Sequence, residues 1–268
     1  MGLSTLPVHD GFRLRREAVT RLDTFVDAAF AFSVTLLVVS FGAMPDSFAE
    51  LYDALRRFPA FVAGFALIGM FWGAHHRFSR RFGLEDGTVT VLSMALVAAT
   101  LFYVYPLRMV MSAGMNFLTL GWAPSEFEVR SFDEFRLIFV IYGVGFGVLA
   151  AIIAWLNVHA LRHADRLRLD AAERLLTRTE IGFQLIIIGC ATLSILLALL
   201  LPPGRNWMMA LPGMAYALMG VLMTVYGVRM GSRAHALAAQ REEAGGGSSA
   251  DTRIESRPAA PATHSAGA

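Results

Sequence analysis

Apolar residues gather along this chain into about six long runs separated by short polar breaks. The runs lie near residues 20–44, 58–75, 88–111, 135–159, 180–201 and 207–229. A helix needs about 20 apolar residues to cross the hydrocarbon of a bilayer, and each run approaches or exceeds that length. A soluble helical protein carries one or two such runs, not six. The pattern predicts an all-α integral membrane protein with six transmembrane helices. Residues 1–18 read as a short polar lead, and residues 19–231 as one membrane domain. From about residue 242 the chain turns to Gly, Ser, Ala and Pro. The tail 242–268 lacks the apolar mass to order itself and is expected to be disordered.

Composition agrees with this reading. Hydrophobic residues make up 56% and charged residues 16%, and the mean hydropathy is +0.54. All 23 basic residues are Arg. Arg13, Arg15, Arg16 and Arg21 precede the first span. Arg77, Arg80 and Arg81 lie between spans two and three, and Arg162, Arg166, Arg168, Arg174 and Arg178 between four and five. Arg229, Arg233 and Arg241 follow span six. The opposite connections hold fewer: Arg56, Arg57, Arg108, Arg130 and Arg205. The positive-inside rule then places both termini in the cytoplasm. Glu126, Glu128, Asp133 and Glu134 fall in the connection assigned outside, although acids weigh little in topology. Arginines set at helix ends in this way argue for a membrane surface and against nucleic acid. The single cysteine, Cys190, allows no disulfide within the chain, and no cysteine-rich metal motif is present. The first span follows an Arg-rich segment without a small-residue cleavage site and reads as a retained anchor.

Small residues punctuate the spans at Gly69 and Gly73, Gly143 and Gly147, and Gly227 and Gly231. Close helix packing is their ordinary meaning. Gly143-Val144-Gly145 follows no strand and is not a nucleotide loop. Thr224-Val225-Tyr226-Gly227 lacks the full carbonyl-lined filter sequence and a pore helix. Spans four to six hold no second copy of the first span's polar pattern, so an inverted-repeat transporter finds no support.

The first span carries an acid, Asp27, inside it. A charge at the bilayer centre costs about 2.5–3.5 kcal/mol on insertion scales, which makes the residue a candidate functional site. At about 100° per residue, Phe25, Phe32, Leu36 and Val39 share one helix face, with Thr35 flanking it. Asp27 points away from that face, toward neighbouring helices. The apolar stripe has two readings: ordinary packing, or a hydrophobic constriction about a symmetry axis that gates by dewetting. The chain returns through span two, so Trp72, His75, His76 and Arg77 stand at the depth of Arg21 to Asp27. A His or Arg there offsets the cost of burying Asp27. His75 and His76 titrate near neutral pH when unperturbed, so this arrangement is either a static clamp or a protonation-sensitive one. Zinc binding is disfavoured, because no further ligand cluster accompanies the two histidines.

Arg21-x-x-x-Phe25-Val26-Asp27, followed by Phe30-Ala31-Phe32-Ser33-Val34-Thr35-Leu36-Leu37-Val38, resembles the first-helix motif of the TMEM175 potassium channel family. That motif typically reads R-x-x-x-F-S-D-G-V-F-A-I-A-I-T-L-L-V. The Trp72-x-x-His75-His76 ending resembles the family's second helix, and the similarity covers roughly the first 80 residues. The resemblance implies a six-helix subunit that forms a homotetramer in prokaryotes, with first helices lining a central pore. There is no re-entrant filter in that design; an apolar constriction on the first helix serves as the gate. By position the lining maps to Phe32, Leu36 and Val39, with Thr35 as the polar layer. The buried polar network that holds the first helix maps to Arg21, Phe25, Asp27 and His75, with His76 beside them. Three departures stand out: Val26 replaces Ser, Ala28 replaces Gly, and Phe32 replaces Ile at the narrowest expected layer.

The expectation is therefore a passive, potassium-permeable cation channel of the bacterial inner membrane, with potassium ions and membrane lipid as its partners. It is expected to need no cofactor, no fixed metal and no catalytic residue. Asn157, His159 and His163 at the inner end of span four form no recognisable catalytic constellation, so an enzyme is disfavoured. Two alternatives from other classes are a secondary transporter, proton-coupled through Asp27 and His75, and a non-conducting membrane scaffold or sensor in which Phe32 is a permanent plug.

Overall fold

The computed structural model describes residues 7–9, 11–16, 18–40, 45–125, 127, 129–202 and 210–255, without the side chains of 234, 235 and 237–255. Hydrocarbon offers no water to unpaired backbone groups, so spanning segments become helices. Most of these helices begin at a side-chain cap, which satisfies N–H groups that the first turn leaves open. Thr20 caps α1 (Arg21–Val39), Ser47 caps α2 (Phe48–Phe82) and Asp86 caps α3 (Gly87–Leu118). Ser131 caps α4 (Phe132–Arg162) and Asp170 caps α5 (Ala171–Leu200). The last helix is α6 (Leu211–Glu255). Six helices among the described residues are long and apolar enough to cross a membrane, α6 through its part Leu211–Arg233.

Helix α1 packs on α2 and α3, α2 also meets α4, and α3 to α6 follow one another in chain order. The core is an aromatic column. Phe71 of α2 meets Phe146 of α4 edge-on at 5.6 Å, Tyr103 of α3 lies 5.5 Å from Tyr142, and Tyr216 of α6 stands edge-on to Tyr142 at 5.2 Å. Gly145 lets Tyr103 in: a Cβ there would run into the ring. Gly143 likewise abuts Ile195, whereas Gly69, Gly147 and Gly231 have open space above them. The packing reading of the small-residue pairs thus holds at one member of some pairs and not throughout.

The described part of the lead before α1 carries a short hairpin. Strands β1 (Val8–His9) and β2 (Phe12–Arg13) pair antiparallel around Gly11, whose φ of 75° suits a tight hairpin. Phe12 is buried edge-on to Phe82 at 5.3 Å, beneath the Arg15 and Arg81 guanidiniums. Glu173, in the first turn of α5, is fully buried. Its carboxylate accepts from Arg15 Nη1 at 3.2 Å and Nη2 at 2.8 Å, from the Arg13 backbone N–H at 3.0 Å and from the Asp170 N–H at 3.2 Å. Arg77 and Arg81 share Glu180, at 3.3 and 3.2 Å. Across the same rim, His159 Nε2 lies 2.7 Å from Asp86 Oδ2. Burial pushes the Asp86 carboxyl up. The His159 contact and the N–H groups of Val89 and Thr88 outweigh that and hold it below the usual carboxylate range.

Two boundaries differ from expectation. The first span was placed at 20–44, but α1 ends at Val39 with Ser40 as its cap. Helix α6 continues past residue 242 to Glu255, into the stretch expected to be disordered. Ala-, Gln-, Arg- and Glu-rich residues 234–243 favour helix; nothing in Gly245–Ser249 explains the continuation. Glu126, Glu128, Arg205 and residues 256–268 lie outside the described residues.

Glu173→Ala would leave the Arg15 guanidinium buried without its partner, a change that typically costs about 3–5 kcal/mol. The variant is expected to unfold at clearly lower temperature in detergent. A double Arg15→Leu, Glu173→Leu variant is expected to recover part of the loss, since it removes both charges together.

Candidate functional site

Helix α1 has two unlike faces. Val26, Phe30, Ser33 and Leu37 are buried against α2 and α3. Opposite them, Phe25, Ala28, Phe32, Thr35 and Val39 form a stripe at i, i+3, i+7, i+10 and i+14 that is exposed in the single subunit. Phe32 is 54% exposed and Val39 66%. The Thr35 hydroxyl donates to the Ala31 carbonyl at 3.1 Å, which leaves its lone pairs facing outward. Of the expected lining residues, Leu36 differs. It is half-buried and packs against the core, because it sits about 60° round the helix from the stripe's centre. Ala28 takes a place in the exposed stripe.

The base of α1 is fixed by a carboxylate that the sequence reading passed over. Asp23 Oδ1 accepts from Ser79 Oγ of α2 at 2.6 Å. Its Oδ2 accepts from the Thr20 hydroxyl at 2.8 Å and the Thr20 N–H at 3.1 Å, closing a capping box. Arg16 Nη1 reaches the same oxygen at 3.3 Å. The other arm of Arg16 donates to the Gly83 carbonyl at 3.1 Å and meets Glu85 at 2.7 Å. Gly83 ends α2 in a left-handed turn, with φ of 59°. One guanidinium thus joins the start of α1, the end of α2 and the entry to α3.

Asp27, one turn further in, points toward α2 as expected. Its donor there is Trp72, whose Nε1 lies 2.8 Å from Asp27 Oδ1. His76 stacks on the Trp72 ring at 5.4 Å. Asp23, Asp27, His76 and Ser79 line a cavity of about 50 Å³ together with Arg16 and Arg80, which is room for a water molecule. His75 is not Asp27's hydrogen-bond partner. Buried at 3% exposure, it lies with Nε2 2.9 Å from Ser93 Oγ of α3. Arg21 is exposed and has no ion-pair partner among the described residues. Phe25 is exposed too, on the Phe32 face. The expected network of Arg21, Phe25, Asp27 and His75 is therefore replaced by Arg16, Asp23, Asp27, Trp72 and Ser79. The reason is helical register. Trp72, His76 and Ser79 are spaced i, i+4, i+7 and share the α2 face turned to α1, whereas His75 is rotated about 60° away toward α3. The Thr20-x-x-Asp23 spacing was the available signal for Asp23. Among the described residues no group of three His, Cys, Asp or Glu could hold a metal.

Comparisons with known proteins converge on one family. The family model described as "Endosomal/lysosomal potassium channel TMEM175" matches residues 21–104, which contain α1, α2 and most of α3. A protein of Marivirga tractuosa described as "Potassium channel" is 29% identical over 225 residues, covering 82% of this chain and 91% of that protein. The crystal structure of a variant of the potassium channel MtTMEM175, in complex with a nanobody–MBP fusion protein, is similar with a TM-score of 0.71 and 28% identity. That likeness covers 84% of this chain and 99% of the solved one.

Removing the Asp23 carboxylate takes away a cap, worth about 0.5–2 kcal/mol, and unties Ser79 and Arg16. In Asp23→Ala, amide hydrogen exchange is expected to speed up in the first two turns of α1 and to change little at the α4–α5 contact. Uniform acceleration across the bundle would show that Asp23 serves global stability instead.

Proposed function

We propose that this chain is a passive, potassium-permeable cation channel of the TMEM175 family, gated on α1. The observation that carries the reading is the exposed stripe Phe25, Ala28, Phe32, Thr35 and Val39, on a helix whose opposite face is buried and whose base is anchored. One copy of α1 encloses no path. Four copies about an axis, each turning this stripe inward, would line one. In such a homotetramer the Phe32 rings form the narrowest apolar layer, Thr35 adds hydroxyl oxygens above it, and Val39 narrows the outer end. Leu36 backs the lining from the side. A constriction of this kind closes by losing its water, and opens when it widens enough to stay wet.

Arginine placement supports an inner-membrane protein with both termini in the cytoplasm. Residues 19–231 would be the channel domain, preceded by a cytoplasmic lead. No enzymatic role is proposed, since the polar side chains around α1 are engaged in holding helices together. The Asp27–His75 pair that a proton-coupled transporter would use is not formed: Asp27 bonds Trp72, and His75 bonds Ser93. That weighs against the transporter reading. A permanent plug at Phe32 is the reading that the experiment must separate from a gate.

Potassium efflux from liposomes, measured on purified protein of known oligomeric mass, tests the proposal. Lowering a barrier by about 1.4 kcal/mol raises a rate about tenfold, so Phe32→Ala is expected to increase efflux by at least about that factor. A well-assembled protein that passes no potassium, before or after Phe32→Ala, would overturn the channel reading in favour of a scaffold. Saturating, proton-driven counterflow would overturn it in favour of a transporter.

A further inference from the structure

We propose that the inner end of the α5–α6 seam holds the phosphodiester headgroup of an anionic phospholipid. Helices α5 and α6 are in register at Gly182, where the Tyr226 side chain seats on the glycine and any Cβ would collide with it. Phe183 meets Tyr226 edge-on at 5.3 Å. From that fixed point the next turns toward the inner rim follow from helix geometry. Arg178 lies four residues before Gly182 and within about 40° of it round α5, at the exposed edge of the seam. Arg233 lies seven residues after Tyr226, on the same face of α6, and Arg229 lies between them on its flank. Three exposed guanidiniums therefore gather along the inner end of one seam.

Like charges gathered in this way repel one another unless an anion lies among them. The acids whose side chains are described along this part of the rim are committed elsewhere. Glu173 is enclosed by Arg13 and Arg15, Glu180 by Arg77 and Arg81, and Asp165 by Arg174. Among the described residues, Arg178, Arg229 and Arg233 have no carboxylate partner. A phosphodiester is the anion that fits, because guanidinium forks match its oxygens. The lipid source is favoured over free phosphate by what surrounds the arginines. The seam is flanked by exposed apolar residues, Val225 and Leu185, which offer acyl chains a surface beside the charged end.

Native mass spectrometry of the full-length protein tests this, with phosphatidylglycerol and phosphatidylcholine as probes at equal concentration. Phosphatidylglycerol is expected to be retained preferentially. An arginine near a charged membrane surface contributes about 1 kcal/mol, so each of Arg178→Gln, Arg229→Gln and Arg233→Gln is expected to lower that retention about fivefold. A control variant neutralising Arg162, at the end of α4, and Arg166 and Arg168 on the loop after it, all three exposed, is expected to keep it. Equal loss in the control would overturn the proposal in favour of diffuse surface charge. Displacement of the lipid by excess inorganic phosphate would overturn the lipid source, and equal retention of the two lipids would overturn the site. Each single-arginine variant is read only beside its own thermal midpoint. Loss of retention at an unchanged midpoint supports the site, and loss only in variants that unfold early overturns it. The readout is independent of potassium flux.

Discussion

The Asp23 carboxylate, held between α1 and α2, is the constraint on which the orientation of the first helix depends. In a bilayer, apolar surface gives no net reason to turn one face inward rather than another, because lipid tails are as apolar as leucine. Helix α1 is apolar on both sides: Val26, Phe30 and Leu37 on one, Phe25, Phe32 and Val39 on the other. Hydrophobicity alone would leave its rotation open. Its two acids settle it. Asp23 and Asp27 are four residues apart and share a face, and each finds a donor on α2 at less than 3 Å. Any other rotation takes both carboxylates off their donors on α2 and turns Asp27, the deeper of the two, toward hydrocarbon. The exposed stripe is where it is because the acids are where they are.

The same logic extends along the inner rim. Arg16 ties Asp23 to the turn at Gly83, and Arg15 crosses to Glu173 at the head of α5. The two arginines are consecutive in the chain, so their side chains can reach different helices of the inner rim from one short stretch. Their backbone N–H groups both lie near the Arg80 carbonyl, at 3.2 and 3.3 Å, which satisfies part of the last turn of α2. The lead thus joins α1, α2 and α5 into one charged layer. Above that layer, the helices are held by shape, through the aromatic column and the close approach at Gly145.

Much of this was legible in the sequence, and the failures have physical causes. The six helices follow from runs of apolar residues too long for anything else. Thr20-x-x-Asp23, Ser131-x-x-Glu134 and Asp170-x-x-Glu173 stand at three helix starts, capping spacings that the sequence reading left unused. The first-helix motif pointed to the family whose model matches residues 21–104. It was at the level of single contacts that reading the sequence fell short. Trp72, His75 and His76 are adjacent in sequence, and only the rotation of α2 decides that Trp72 meets Asp27 while His75 turns to Ser93. Periodicity places residues on faces but does not say which face meets which helix. The β1–β2 hairpin is two residues per strand, too short for any alternation to show, and only the Asp10-Gly11 pair hinted at a turn.

Phe32 is where local geometry and the proposed gate meet. Long side chains on a helix lean toward its N-terminus, over the residue four positions earlier. For Phe32 that residue is Ala28, and Ala31 lies beside it; both are exposed in the subunit. The bulk that a phenyl ring would bring to the proposed constriction is therefore set against small neighbours on the same face. A ring with an alanine beneath it has room to swing toward the helix base, where a larger residue would block it. A ring that would narrow the proposed path thus comes with space into which it can withdraw, which favours a gate over a fixed plug. The anchored base matters here too. With Asp23 and Asp27 holding the helix still, a change at the constriction can come from the ring alone, without rotating α1 and exposing its acids to lipid.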